Sequence, residues 1–104
     1  MSTKSKKRYG KESLDKKLGP MTFGAFLNSW RESLGATQVA FAKKLGISAG
    51  NLCDIEKGRQ LVSARKAAEI AAKIGYSKTV LVELAINEQL AADGLHMRVK
   101  AEVA

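Results

Sequence analysis

The chain has 104 residues, a formal charge of +8 and one cysteine, Cys53. This length suits one small domain, a single cysteine excludes an internal disulfide, and no apolar run approaches the roughly 18 residues of a membrane span. The basic N-terminus lacks the apolar core of a signal peptide, so we expect a cytoplasmic protein of a bacterial type, near the nucleoid. Positive charge favours phosphate-bearing partners, but many soluble proteins are basic.

The positive charge is concentrated at the start of the chain. Residues 1–20 hold seven Lys or Arg against two acidic residues, a net +5, whereas residues 21–104 hold eleven against eight, a net +3. The large apolar side chains of the first segment, after Met1, are Tyr9, Leu14 and Leu18. Burial of these few apolar side chains would not offset the conformational entropy lost on ordering. We therefore predict that residues 1–20 are flexible in the free protein.

The rest of the chain reads as five helices, each preceded by Ser or Thr and followed by Gly. A stripe of apolar residues in the first helix, with Trp30 among its core positions, repeats at helical spacing. The predicted N-caps are Thr22, Thr37, Ser48, Ser63 and Ser77, and the predicted stops are Gly35, Gly46, Gly58, Gly75 and Gly94.

The segment from Gln38 to Lys57 carries the most specific pattern. Phe41 lies on the inner face of one short helix, Gly46 ends that helix, Ser48 caps the next, and Ile55 lies on the inner face of the second. The turn is so short that Gly46 should adopt a left-handed conformation. This spacing is typical of a helix-turn-helix and favours DNA binding.

The fifth helix, residues 77–92, is apolar on more than one face, which leaves open a central core helix or a subunit interface. In the tail, apolar residues alternate with polar ones from Leu95 to Val103, which predicts a strand with one buried face. No second strand is predicted, so it either pairs with the same strand of a second subunit or frays. The predicted dimer contacts are Leu81, Leu84, Leu95, Met97, Val99 and Ala101.

Little in the sequence suits catalysis. One histidine, one cysteine, no phosphate-binding glycine loop and no metal-ligand spacing leave no set of groups to assemble. We therefore expect no enzymatic activity, no cofactor and no metal. Glu56 is expected to cap its helix or to form an ion pair near Arg59, and Cys53 is expected to be structural.

Several short runs then resemble a known family. Thr37-Gln38, Ala42, Leu45-Gly46-Ile47-Ser48 and Ile55-Glu56-Lys57-Gly58-Arg59 resemble the Cro/C1-type helix-turn-helix family, whose lambda-repressor-like domain is all-α with five helices. The runs 41–48 and 51–63 are similar to antitoxins of the HigA type, a resemblance that extends over most of residues 22–104. Such antitoxins neutralise a small basic ribonuclease toxin of the RelE/HigB kind and repress their own operon.

The composition and the patterns divide the chain into three regions, and the resemblance adds a DNA-binding surface. The regions are a flexible basic segment (1–20), a helix-turn-helix domain (21–93) and a dimerisation strand (94–104). Phosphate contacts are implied at Gln38, Lys57 and Arg59, and base-edge contacts in the first turns of the second helix of the motif. The complete predicted DNA-binding set is Thr37, Gln38, Ser48, Ala49, Gly50, Asn51, Asp54, Lys57 and Arg59.

Several functional alternatives remain open at this stage. Residues 1–20 could bind the toxin through Tyr9, Leu14 and Leu18, act as a DNA arm, or serve as a spacer. The whole chain could be a stand-alone repressor of a pseudo-palindromic operator without a toxin. It could also be a protein-interaction module, because Ala49 and Gly50 lack side chains that read purines and the Asp54 carboxylate could repel phosphate.

Overall fold

The computed structural model describes residues 21–104. They form five helices: α1 (Phe23–Ser33), α2 (Gln38–Leu45), α3 (Ala49–Glu56), α4 (Ala64–Ile74) and α5 (Lys78–Ala92). Within residues 21–104 there is no strand, and none of these helices is long and apolar enough to cross a membrane. The predicted all-helical architecture is confirmed. The predicted roles of Tyr9, Leu14 and Leu18 lie outside the described residues.

The helix starts follow directly from the sequence. Each helix is preceded by a Ser or Thr whose hydroxyl accepts a hydrogen bond from the backbone N–H three residues later, and these caps are Thr22, Thr37, Ser48, Ser63 and Ser77. The expected left-handed turn is also present, because Gly46 has φ of 76°. An L side chain at that position would be strained, so glycine permits the tight connection between α2 and α3.

The helices surround one hydrophobic core. Helix α4 packs against α5, α2 against α3 and α4, and α1 against α3 and α5. The core contains Phe23, Leu27, Phe41, Ala42, Leu45, Leu52, Ile55, Val62, Ala67, Ile70, Ala71, Leu81 and Ala85. Trp30 is only partly buried and packs beside Phe26 and Tyr76 at the edge of this core. Val62 lies in the connection before α4, where the sequence pattern gave no sign of burial.

The predicted dimer residues occupy different environments. Leu81 is fully buried within the single chain, because it packs in the core, and it offers no surface to a partner. Leu84 is half-buried, whereas Leu95 and Met97 are 45% and 57% exposed. Val99 is also exposed, and Ala101 is intermediate. The predicted contacts in the tail, Leu95, Met97 and Val99, are therefore exposed and could meet a partner, whereas Leu81 could not.

A close approach of α1 to α3 depends on Gly24. A Cβ atom added there would overlap the carbonyl oxygen of Ile55 and lie 3.0 Å from that of Glu56. Since both obstacles are backbone atoms, no rotamer change would relieve the overlap. Gly24 therefore sets the distance between α1 and the last turn of α3.

Gly24→Ala should destabilise the domain by about 1–3 kcal/mol, because α1 and α3 must move apart to accept the methyl group. Gly50→Ala is the matched control, since a Cβ at Gly50 meets no atom within 4 Å. The control should be stabilised by about 0.5–1 kcal/mol through its helix propensity. Urea denaturation of both variants measures the difference, and equal stability of the two would contradict the proposed close approach.

Candidate nucleic-acid interface

Helices α2 and α3 form the helix-turn-helix, with Gly46, Ile47 and Ser48 between them. The N-terminal turns of α2 and α3 contain no acidic side chain. Thr37 and Ser48 each accept one backbone N–H, at 3.1 and 3.0 Å. The partial positive charge of each helix start therefore has no acidic side chain in its first turn to offset it, an arrangement that suits phosphate oxygens.

A buried carboxylate holds this unit together. Oε1 of Glu56, at the end of α3, accepts from Nδ2 of Asn28 (3.1 Å), Nη2 of Arg31 (3.1 Å) and Nε2 of Gln38 (2.8 Å). Its Oε2 accepts from Nε of Arg31 at 2.8 Å. Arg31 also donates from Nη1 to the carbonyl oxygen of Ala36 at 2.9 Å. These bonds connect α1, the α1–α2 turn, α2 and α3, and we call this set of residues the Glu56 hub.

The hub corrects the expectation that Glu56 pairs near Arg59. The Glu56 side chain is 3% exposed and Arg31 is its ion-pair partner, because α1 crosses the end of α3 at Gly24. Burial alone would raise the pKa of Glu56, but hydrogen bonds from Arg31, Gln38 and Asn28 outweigh burial and lower the pKa below its ordinary value. The structure thus shows the Gln38 side chain bracing α3, while the backbone of Gln38 opens α2.

The exposed side of α3 carries few long side chains. Ala49 is partly buried and Gly50 is exposed, so neither presents a polar group. Asn51 lies beside them, and its Nδ2 donates to Oε1 of Gln60 at 2.7 Å. Gln60 follows the helix and was not predicted as a site residue. The two amides form one polar unit. Within residues 21–104 the Asn51 Oδ1 and the Gln60 Nε2 have no hydrogen-bond partner, so both are available to base edges.

The chain folds back onto α3 after Gly58, which explains how Gln60 reaches Asn51. The backbone N–H groups of Arg59 and Gln60 donate to the carbonyl oxygen of Asp54, at 2.8 and 3.2 Å. This contact is non-repeating, so sequence periodicity could not reveal it. Only the left-handed Gly58, with φ of 76°, marked a change of direction there.

Asp54 and Arg59 form an exposed ion pair. Nε of Arg59 lies 3.1 Å from Oδ1 of Asp54, and the side chains of Arg59 and Asp54 are 60% and 46% exposed, respectively. An exposed pair of this kind contributes little to stability, so Arg59 can exchange Asp54 for a phosphate at small cost. Lys57 is exposed beside this pair. The structure therefore brings the predicted residues of α3 and of the following turn into one neighbourhood.

Arg31→Met should lower the free energy of unfolding at pH 7 by about 3–5 kcal/mol, because Glu56 remains buried without its cation. In the native protein the lowered pKa of Glu56 gives stability that is present above about pH 4.5 and lost as the pH falls through the folded value. In the variant, burial raises that pKa, so the deficit should shrink between pH 7 and pH 5. Denaturant titrations at both pH values measure this change.

Arg31→Lys is the matched control for this prediction. It keeps the positive charge but loses the paired geometry of the guanidinium, so its deficit should be smaller and nearly constant with pH. A deficit in Arg31→Met that does not change with pH would show that Glu56 is not the group left unpaired.

A comparison with protein families identifies the domain. A family model described as a helix-turn-helix domain matches residues 22–84, which is more than half of the chain. The match begins at the cap of α1 and ends within α5, so it includes the Glu56 hub, α2, α3 and the turn after α3. Comparisons with curated proteins and with solved structures found no match. On its sequence and its fold, the chain belongs to the family of helix-turn-helix domains of the Cro-like kind.

Proposed function

We propose that this protein binds a specific, pseudo-palindromic DNA site as a dimer and represses transcription there. The observation that supports this function best is the Glu56 hub beneath the helix-turn-helix. Four charge-assisted hydrogen bonds fix α3 before DNA is present, three to α1 and one to the start of α2. Helix α3, which would lie in the major groove, is therefore already held in position in the free protein. DNA binding does not have to order it, so no affinity is lost to that entropy.

The surface contains two kinds of group, those suited to phosphate and those suited to base edges. The starts of α2 and α3, together with Lys57 and Arg59, suit phosphate and would set the position of the protein on the duplex. The Asn51–Gln60 unit offers both an acceptor and a donor, which are the groups that read an adenine edge in the major groove. Ala49 and Gly50 add only shape, so the groove can approach the α3 backbone closely.

Dimerisation belongs to this proposal because one short recognition helix contacts only part of one major groove. A two-fold dimer places its recognition helices about 34 Å apart on successive grooves, and so doubles the contacts. A binding experiment tests the proposal: DNA selected from a random pool by the full chain should contain two inverted half-sites. Selection of no sequence above background, with no salt-dependent binding, would contradict it and favour a protein-interaction module.

Asn51→Ala and Gln60→Ala should each cost about 1–3 kcal/mol of binding free energy at the selected site, because each removes part of one base-reading unit. The loss should fall on the same base pair for both variants and leave the salt dependence unchanged. Lys57→Ala should instead weaken binding to all sequences and reduce the slope of log K against log salt by about 0.9 for each phosphate that Lys57 neutralises. Fluorescence anisotropy at several salt concentrations separates the two effects.

Lys78→Ala is the charge-matched control for Lys57→Ala. Lys78 is an exposed cation on α5, which packs against α4 and α1, so its removal changes the net charge equally but should leave affinity nearly unchanged. If Asn51→Ala lowers affinity for every sequence alike, the base-reading assignment is wrong.

The finer form of this proposal is an antitoxin that also binds a small basic ribonuclease of the RelE/HigB kind. It is supported by the resemblance of residues 41–48 and 51–63 to HigA-type antitoxins. It is also supported by the composition of residues 1–20, a segment outside the matched domain with three apolar anchors. A stand-alone repressor is the alternative.

Deletion of residues 1–20 tests this finer form. The full chain should co-purify with the product of an adjacent gene for a small basic ribonuclease, and the truncated chain should lose that partner while it retains DNA binding. Capture by neither chain would leave a dimeric repressor, and capture by both would move the toxin contact onto the helical domain.

A further inference from the structure

The tail after α5 is fixed to that helix by side chains rather than by a neighbouring strand. The backbone N–H of Val99 donates to Oδ1 of Asn87 at 2.7 Å, and Nδ2 of Asn87 donates to the carbonyl oxygen of Val99 at 3.1 Å. The N–H of Ala101 donates to Oε1 of Glu83 at 3.0 Å. The tail therefore runs back along α5, because it meets Asn87 before Glu83.

The spacing of the helix residues matches the spacing of the tail residues at this contact. Glu83 and Asn87 are four residues apart, so they lie one above the other on the same face of α5. Val99 and Ala101 are two residues apart, so in an extended chain their backbone groups point to the same edge. Asn87 is a buried polar residue, and its side-chain amide makes the same pair of hydrogen bonds to Val99 that the backbone of a neighbouring strand would make.

The opposite edge of the tail is open. Since extended residues direct their backbone groups alternately to the two edges, those of Arg98, Lys100 and Glu102 point away from α5. Within residues 21–104, no hydrogen bond to these backbone groups is found. Met97 and Val99 are still 57% and 40% exposed, so an apolar face accompanies the open edge. An edge of this kind is a template for another strand.

Charge decides which strand fits this edge. An antiparallel pair centred on Ala101 places Glu102 opposite Lys100 of the second copy. A pair centred on Lys100 places Glu102 opposite Arg98 of the second copy twice, which offsets the two Lys100 side chains that then face each other. Both registers keep the apolar residues of the two strands on one face. The N-terminal segment, with a net +5, would bring further positive charge against Arg98 and Lys100. A second copy of this edge is therefore the better partner.

We propose that residues 95–103 form an edge strand whose outer backbone groups, at Arg98, Lys100 and Glu102, pair antiparallel with the same edge of a second copy. Asn87 and Glu83 hold the strand in position before the second copy arrives. This inference rests on the dimer of the proposed function and specifies its interface. In the resulting two-stranded ribbon, Met97 and Val99 of both copies lie side by side on one apolar face.

Lys100→Pro tests the backbone pairing directly. Proline removes the N–H on the open edge and leaves the bonds of Val99 and Ala101 to α5 intact, whereas Lys100→Ala removes the charge and keeps the N–H. Each subunit loses its bond, so the dimer dissociation constant of Lys100→Pro should rise about tenfold or more relative to Lys100→Ala. Sedimentation equilibrium of the full chain measures both. Equal constants, or a wild-type chain that stays monomeric at all concentrations, would overturn the proposal.

Variants of the Asn87 contact give an independent route. Asn87→Asp accepts from the N–H of Val99 but places a carboxylate against its carbonyl oxygen, so it should weaken the dimer. Glu83→Gln keeps the acceptor for Ala101 and should leave dimerisation unchanged. If Asn87→Asp dimerises as well as Glu83→Gln and the wild type, while the thermal unfolding of each is normal, the side-chain attachment does not prepare the edge and the proposal fails.

A charge exchange identifies the register. Glu102→Lys should weaken the dimer, and adding Arg98→Glu restores it if the axis passes Lys100, whereas adding Lys100→Glu restores it if the axis passes Ala101. Restoration by neither exchange would overturn the antiparallel pairing.

DNA binding separates this inference from the proposed function. If Lys100→Pro binds a single half-site as well as the wild type but loses the gain on the full site, the interface is supported. A wild-type chain that binds half-sites as a monomer overturns the interface and leaves the DNA-binding function. A stable dimer that binds no DNA supports the interface and removes the function.

Discussion

The position of the recognition helix depends on one buried carboxylate. Glu56 ends α3, yet its partners come from α1 and α2, and the side chain is only 3% exposed. A buried charge is costly unless every lone pair is occupied, so the arrangement is stable only when all three helices are in place. The Glu56 hub therefore couples folding of the domain to formation of the DNA-binding surface.

The surface that results is broader than α3 itself. The chain folds back after Gly58, and the connection contributes Gln60 and Arg59 to the polar groups beside Asn51 and Asp54. This explains how a helix that opens with Ala49 and Gly50 can still present specific chemistry. In the proposed function, a pair of amides and a close backbone approach take the place of direct readout by long side chains of the first turn.

The helices could be predicted from local sequence rules, whereas the contacts between residues far apart in the chain could not. Hydroxyl caps and terminal glycines act within a few residues, so Thr37, Ser48 and Gly46 could be recognised from the sequence and are confirmed. The partner of Glu56 is 25 residues away, and Gly24 is required by the backbone of another helix. The spacing of apolar and polar residues carries no information about contacts of this kind, between residues far apart in the sequence. The predicted strand remains a proposal, because its hydrogen bonds would need a second chain.

Helix α1 links the two functional ends of the molecule. It carries Arg31 of the Glu56 hub and contacts α3 through Gly24, while its first backbone N–H, at Phe23, donates to Oε1 of Glu88 on α5 at 3.2 Å. The tail is fixed to that same α5 through Asn87. A dimer formed through the tails would therefore set the separation of the two α3 helices through a short series of rigid contacts. Because half-site spacing is a geometric requirement, changes at Gly24 or Asn87 should alter DNA affinity without touching any base contact.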